Sequence, residues 1–193
     1  MKNFTSTSVL STLLLGLSFC VIAQGQPQNS YFTKGLVSSI LSQRNCAGLR
    51  LYPATDANNN SVVMIIGIDA NGNELYNEAS SNYQYQMFSR VSGSTVTDVA
   101  LNRQQAQTAC SVYTSKNSSF VSDISAASVQ SLLEGESAGI SVVYSSSQTA
   151  NFVVSAYKNE RGVKAYGKTI PGEPCPSACG EPRQYLCSPT TGR

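Results

Sequence analysis

The chain of 193 residues contains no histidine and no tryptophan. Without imidazole there is no Ser-His-Asp or Cys-His nucleophile pair and no histidine-ligated catalytic zinc, so whole classes of hydrolase fall away. Charge is scarce too: Lys, Arg, Asp and Glu make up 12% of the residues, and the formal net charge is +2. That leaves neither a basic stripe to neutralise phosphates nor an acidic field to steer cations, and nucleic acid is not an expected partner. Glycine-rich phosphate loops of the GxxxxGK[ST] or GxGxxG kind are missing, and no cofactor is expected. No apolar run is suited to be the helix of roughly 20 residues that spans a membrane.

The most apolar run is N-terminal. Lys2 supplies a charged start, Val9 to Val21 is mostly apolar around Leu13-Leu14-Leu15, and Val21-Ile22-Ala23 offers cleavage positions. These residues predict a secretory signal peptide over 1–23, and hence a periplasmic or secreted protein beginning at Gln24. The alternative is a lipoprotein anchored through Cys20, against which Phe19 is a large residue just before the cysteine. About 170 residues remain, enough for one domain with a real core.

Five cysteines lie beyond that leader: Cys46, Cys110, Cys175, Cys179 and Cys187. In an oxidising compartment they are disulfide candidates, and two bridges with one thiol left over allow fifteen arrangements. Cys175 and Cys179 have CxxxC spacing, whereas thioredoxin-type dithiols use CxxC at a helix start, so a structural staple is the expectation. A zinc site lacks a second paired set of ligands, and none is expected.

What is present is a duplication. Val37 to Tyr52 reads VSSILSQRNCAGLRLY, and Val129 to Tyr144 reads VQSLLEGESAGISVVY. Ala47-Gly48-Leu49 matches Ala138-Gly139-Ile140, Val62-Val63 matches Phe152-Val153, Gly72 matches Gly162 and Tyr76 matches Tyr166. A repeat of this kind describes a scaffold rather than a reaction.

In the first copy, Phe32, Leu36, Val37, Ile40 and Leu41 have helical spacing over Tyr31 to Gln43. Strands are predicted over Leu49 to Ala54 and Val62 to Ile68, with Asn71-Gly72 turning into a third at Glu74 to Asn77. In the second, helices are predicted over about Asn102 to Tyr113 and from the cap Ser125 through Leu133. Strands follow at Ile140 to Tyr144, Phe152 to Tyr157 and Val163 to Tyr166. The expected fold is α+β, two tandem copies of a helix plus a three-stranded antiparallel meander sharing one core. The segments are 24–100 for the first repeat, 101–170 for the second and 171–193 for a cysteine-rich tail.

Between the copies, Tyr83 and Tyr85 would share a strand face. Buried, they are sheet packing; exposed, they could contact a peptide or a glycan. Arg50 reads as a surface strand residue. The carboxylates are scattered and mostly beside Asn or Gly, without the facing pair that a glycosidase needs.

Tyr31 to Tyr76, with Cys46-Ala47-Gly48-Leu49-Arg50 and Ile68-Asp69-Ala70-Asn71-Gly72-Asn73, resembles a group of small proteins encoded by Bacteroidota. Those carry a Cys-x-Gly-(Ile/Leu)-Arg motif, an Asp-x-Asn-Gly-Asn turn and a C-terminal CPxxCG, here Cys175 to Gly180. The resemblance implies a bacterial envelope or secreted setting and carries no activity and no functional residues. The second copy has Ser137 and Ser141 where the cysteine and arginine would stand. Together these features point to an exported, non-catalytic binding or assembly protein with a protein or glycan partner. The alternatives are an inhibitor of a secreted enzyme such as a protease, presenting Ile170 to Pro174, and a carboxylate-dependent enzyme.

Overall fold

Continuous apolar, β-branched-rich runs in the central strands, and two hydroxyl caps before helices, set the local structure. In the computed structural model, which describes residues 29–76, 85–86, 90–92, 94–114, 121–144, 152–159, 164–174 and 186, the order begins β1 (Ser30–Thr33), α1 (Lys34–Leu41), β2 (Gly48–Thr55), β3 (Ser61–Ile68). It continues with β4 (Tyr85–Gln86), β5 (Arg90–Ser92), β6 (Thr95–Thr97), β7 (Ala100–Leu101) and α2 (Arg103–Thr114). The last elements are β8 (Ser122–Ser125), α3 (Ala126–Leu133), β9 (Gly139–Tyr144), β10 (Phe152–Lys158), β11 (Lys164–Pro171) and β12 (Glu173–Pro174). The fold is mixed α+β, mostly β, with antiparallel sheets. The leader predicted over 1–23 and most of the tail lie outside the described residues.

Thr33 caps α1 by accepting from the Leu36 N–H, and Ser125 caps α3 by accepting from the Ser128 N–H. Each cap satisfies a donor that the helix itself leaves open. Each cap also ends a strand, and here the structure corrects the helix predicted over Tyr31 to Gln43. Residues 30–33 are extended, and the helix occupies only Lys34–Leu41. Phe32 fits the helical spacing but is buried from a strand.

Those two short strands cross between the sheets. β1 pairs with β9, in a sheet ordered β1-β9-β10-β11; β8 pairs with β2, in a sheet ordered β12-β8-β2-β3-β4-β7. The registers run alike: Thr33 faces Gly139, Phe32 faces Ile140 and Tyr31 faces Ser141, while Ser125 faces Gly48, Ile124 faces Leu49 and Asp123 faces Arg50. The backbone joints correspond as well. The Lys34 N–H donates to Ala138 O at 2.7 Å, and the Ala126 N–H to Ala47 O at 2.8 Å.

The two matched glycines have a common reason. A Cβ on Gly139 would lie 2.0 Å from Phe32 O, and one on Gly48 would lie 2.4 Å from Ile124 O. Only glycine admits so close an approach of the exchanged strand. At Gly139 the space is also taken by the Tyr157 ring, whose Cε1 would be 2.6 Å from that Cβ.

The six-stranded sheet has two apolar faces. Leu49, Leu51, Val63, Ile65 and Ile124 pack with α1, α3 and the inner face of the other sheet, around Phe32, Val37, Val129, Ile140 and Phe152. Tyr52, Ala54, Val62, Met64 and Ile66 face the opposite way, against Ala106 and Cys110 of α2, Tyr85, Val121 and Leu186. α2, numbered within the second repeat segment, therefore packs on the sheet of the first.

Both ends of β3 are closed by the same local device. In Asp56-Ala57-Asn58-Asn59-Asn60 the carboxylate accepts from the N–H groups of Asn58 and Asn60 at 2.9 and 2.7 Å, and from Asn60 Nδ2 at 2.9 Å. In Asp69-Ala70-Asn71-Gly72-Asn73 the equivalent bonds measure 2.8, 2.8 and 2.9 Å. Asn59 and Gly72 take positive φ at 63° and 78°, conformations that Asn and Gly tolerate. Of the third strand predicted at Glu74 to Asn77, the described residues 74–76 make one bridge, from Glu74 to Ile68, while Asn77 lies outside the described residues; β4 also pairs with β3.

Candidate functional site

Among the described residues, a dense group of polar contacts lies on the α2 side of the six-stranded sheet. Strand alternation puts Arg50, Tyr52 and Ala54 of β2 on that face, with Leu49 and Leu51 on the other. Arg50 is the clearest correction to the sequence reading. Far from being a surface residue, it is 0% exposed, and its guanidinium grips Asp123 with Nε to Oδ1 at 2.8 Å and Nη2 to Oδ2 at 2.9 Å. Burial by itself would lower the guanidinium pKa, but the hydrogen bond and charge of Asp123 outweigh it and hold the cation firmly. The paired geometry is the fork-on-carboxylate arrangement that suits arginine and not lysine.

Next to the ion pair, Glu74 accepts hydrogen bonds from the hydroxyls of both Tyr52 and Tyr85. The Tyr52 oxygen in turn accepts the Leu186 N–H at 2.8 Å. Burial, reinforced by the Glu74 charge and hydrogen bond, pushes both phenols well above their ordinary pKa, so both remain donors. Tyr76 lies tilted against Tyr85 with centroids 5.7 Å apart, and the Arg103 guanidinium sits over the Tyr76 ring at 5.0 Å.

One hollow borders the ion pair, and a second lies against α2. The first, of about 270 Å³, opens beside Asp123, between the Asp69–Gly72 turn, Ser125 and Glu173. Glu173 stands directly across the strand pair from Asp123, which is itself 15% exposed. A larger groove of about 530 Å³ lies between α2 and the Thr55–Asn59 loop, with Leu101, Ala109 and Val112 beside Gln104, Gln105 and Thr108. Its volume falls within the usual span of small-ligand sites. Among the described residues that line it, the one ionisable group is Asp56, which is already engaged by its own loop. Among the described residues no group of three His, Cys, Asp or Glu is placed to hold a metal ion.

The other residues singled out from the sequence are dispersed. Tyr85 is fully buried and held by Glu74, which makes it packing, and Tyr83 lies outside the described residues. Cys46 is a half-buried free thiol whose Sγ donates to Gly48 O at 3.3 Å; burial pushes its pKa up, so it is a poor thiolate. Ser137 makes the matching bond to Gly139 O at 2.8 Å. Cys110 is on the buried face of α2 and disulfide-bonded, while Cys175, Cys179, Cys187 and Cys20 lie outside the described residues. The segment Ile170 to Pro174, considered as a presented loop, is stitched into the fold. The Gly172 N–H donates to Phe152 O at 2.8 Å, and Glu173 and Pro174 pair with β8.

Sequence reasoning missed Asp123 and Glu74. Nothing near Arg50 in the chain announces a carboxylate 73 positions away. No protein-family model, no curated protein and no solved structure matches the chain.

Proposed function

We propose that this chain is an exported, non-catalytic binding or assembly protein of a bacterial envelope or secretome, built from two fused copies of one β-α-β-β module. The module boundary follows the strand exchange: β1-α1-β2-β3 and β8-α3-β9-β10 give up their leading strands to each other in matching register. The setting rests on the leader and on the Bacteroidota-like motifs read from the sequence.

The observation that carries the non-catalytic reading is how the carboxylates are used. Asp123 holds Arg50, Glu74 holds two tyrosines, Asp98 accepts from the Thr33 hydroxyl at 2.6 Å, and Asp56 and Asp69 close their own loops. Glu136 pairs with Lys158 at 2.5 Å. A general acid needs a carboxyl whose pKa is raised toward neutrality. The resolved carboxylate shifts run the other way: the Asn73 side chain lowers Asp69, and Lys158 lowers Glu136. Among the described residues, carboxylates largely committed to partners within the fold favour a rigid scaffold, with the α2 groove as one surface open to a ligand. A carboxylate enzyme is disfavoured on the same ground, and the paired Ile170–Pro174 segment disfavours a protease-inhibitory loop.

Fractionation of the native host, with intact mass, tests the setting. A mature chain starting at Gln24 in the envelope or medium is expected, and a chain retaining Met1 in the cytosol overturns it. Lysine-directed crosslinking in intact cells tests the binding role: a discrete adduct is expected, and an uncrosslinked monomer throughout removes it.

A further inference from the structure

We propose that β11 is a latent docking edge for a second copy of this chain, held shut by two lysines, a bulge and a proline. The inference comes from how the sheets end. The β1-β9-β10-β11 sheet ends in β1 and β11, and the β12-β8-β2-β3-β4-β7 sheet in β12 and β7. β1 has four residues, and β12 and β7 have two each, so these ends offer little ladder to an incoming strand. β11 has eight. Among the described residues it pairs with β10 alone, which leaves backbone groups along its outer side as a template for another strand. Tyr166 and Ile170 are partly buried against the core and offer apolar area that an added strand would cover.

An identical strand is the occupant that a two-fold axis brings to this edge, β11 against β11 antiparallel. Charge opposes it. The strand KAYGKTIP carries Lys164 and Lys168 and no acidic residue, so self-pairing brings four ammonium groups into one ladder with no carboxylate to offset them. Pairing about Tyr166 sets Lys164 of one copy directly against Lys168 of the other, and like charges so placed repel. Lys164 already faces Lys158 of β10, whose ammonium is turned to Glu136 and the Tyr166 ring. Lys164 and Lys168 are both exposed, and neither makes an ion pair among the described residues.

Backbone geometry adds two further obstacles. Ser155 pairs with Thr169 and the next residue, Ala156, with Tyr166, so Gly167 and Lys168 bulge out of the ladder, Gly167 at a φ of 75°. Pro171 has no N–H to donate. Lysine, bulge and proline each blunt a sheet edge, and all three fall on the one long edge that the two larger sheets have among the described residues.

Light scattering on the full chain as it elutes from a sizing column, over a concentration series, reads this guard. Wild type is expected to be monomeric throughout. In Lys164→Val, Lys168→Val, Pro171→Val with native circular dichroism, the mass should climb to twice that of the monomer, with amide exchange slowed over 164–171. The counterpart Lys164→Glu, Lys168→Glu, Pro171→Val should stay monomeric, because like charges of the other sign keep the copies apart. If the valine variant does not fold, Lys164→Val with Lys168→Val is read in its place. The proposal is overturned by a folded valine variant that stays monomeric, by association that leaves exchange over 164–171 unchanged, or by a glutamate variant that associates as strongly. A wild-type dimer joined through β11, or wild-type exchange over 164–171 as slow as in β3 and β10, overturns it equally, since the edge would then already be covered.

Discussion

Arg50 on β2 faces Asp123 on β8 across a strand pair and clasps its carboxylate with two hydrogen bonds of 2.8 and 2.9 Å, from a position with no solvent exposure. This contact bolts the exchanged strand β8 to the sheet that receives it. At the matching place in the other sheet, Tyr31 faces Ser141, and no ion pair is made. The two strand pairs thus run in like register and differ in the side chains that lock them.

Removing one partner of a buried pair strands the other, so Asp123→Asn is expected to cost about 3 kcal/mol in denaturant unfolding. The double variant Arg50→Met, Asp123→Asn should cost less than Asp123→Asn alone, since it no longer buries an uncompensated charge. A single-variant loss within about 0.5 kcal/mol would contradict the role assigned to the pair.

Three glycines should respond to alanine with different signs. Gly48→Ala and Gly139→Ala drive a methyl into the carbonyls of Ile124 and Phe32 and should each cost about 3 kcal/mol. Gly35 lies in α1 with nothing within 4 Å of an added Cβ, and Gly35→Ala should gain about 0.5 kcal/mol. Chemical denaturation of the three variants side by side checks this; equal effects would refute the close-approach argument.

Alkali should unfold the protein through its buried phenols. Burial, with the Glu74 charge added, raises Tyr52 and Tyr85, and burial, with Asp98 added, pushes Tyr157 up to about 12. A phenol held protonated in the folded state contributes stability that is complete below its unfolded pKa of about 10. That stability is lost as pH climbs through the raised folded values. Tyrosinate absorbance and circular dichroism should therefore show late-titrating tyrosines ionising together with loss of fold. Glu74→Gln removes the charge and should move that step to lower pH. Ionisation of every tyrosine near pH 10 with the fold intact would count against this network.

Tyr157→Phe should be neutral or stabilising. The Tyr157 hydroxyl is buried and has no hydrogen-bond partner among the described residues, while its ring crosses Gly139 and meets Tyr31 edge-on at 5.3 Å. Deleting an unsatisfied hydroxyl while keeping the ring removes a desolvation cost of about 1 kcal/mol. Thermal unfolding reads it directly: a lower Tm would mean that the hydroxyl has a partner in solution, such as a bound water.

Much of the framework was legible in the sequence because it depends on short-range physics. Strands β2, β3, β9 and β10 follow apolar, β-branched-rich runs, and α2 and α3 were placed within a residue or two of their observed ends. Strands β1 and β8 were not legible. Each is four residues long, too short to establish a period, and Phe32 fits the helical stripe of α1 as well as it fits a strand. The network was hidden for a related reason. Glu74 and Tyr85 earn their contacts from a chain reversal and a short edge strand, neither of which has a distinctive residue pattern.

By itself the sequence determined the absence of imidazole chemistry, the paired Ala-Gly-(Leu/Ile) segments, the hydroxyl cap before α3 and the Asn71-Gly72 turn. All of these express hydrogen bonds and periodicities closed within a few residues. The tertiary structure decided which sheet receives each leading strand, and therefore that Arg50 is buried. An arginine on a strand is stable at the surface or, with a carboxylate in register, beneath it. That choice belongs to a strand pairing between residues 73 apart, and no local preference encodes it.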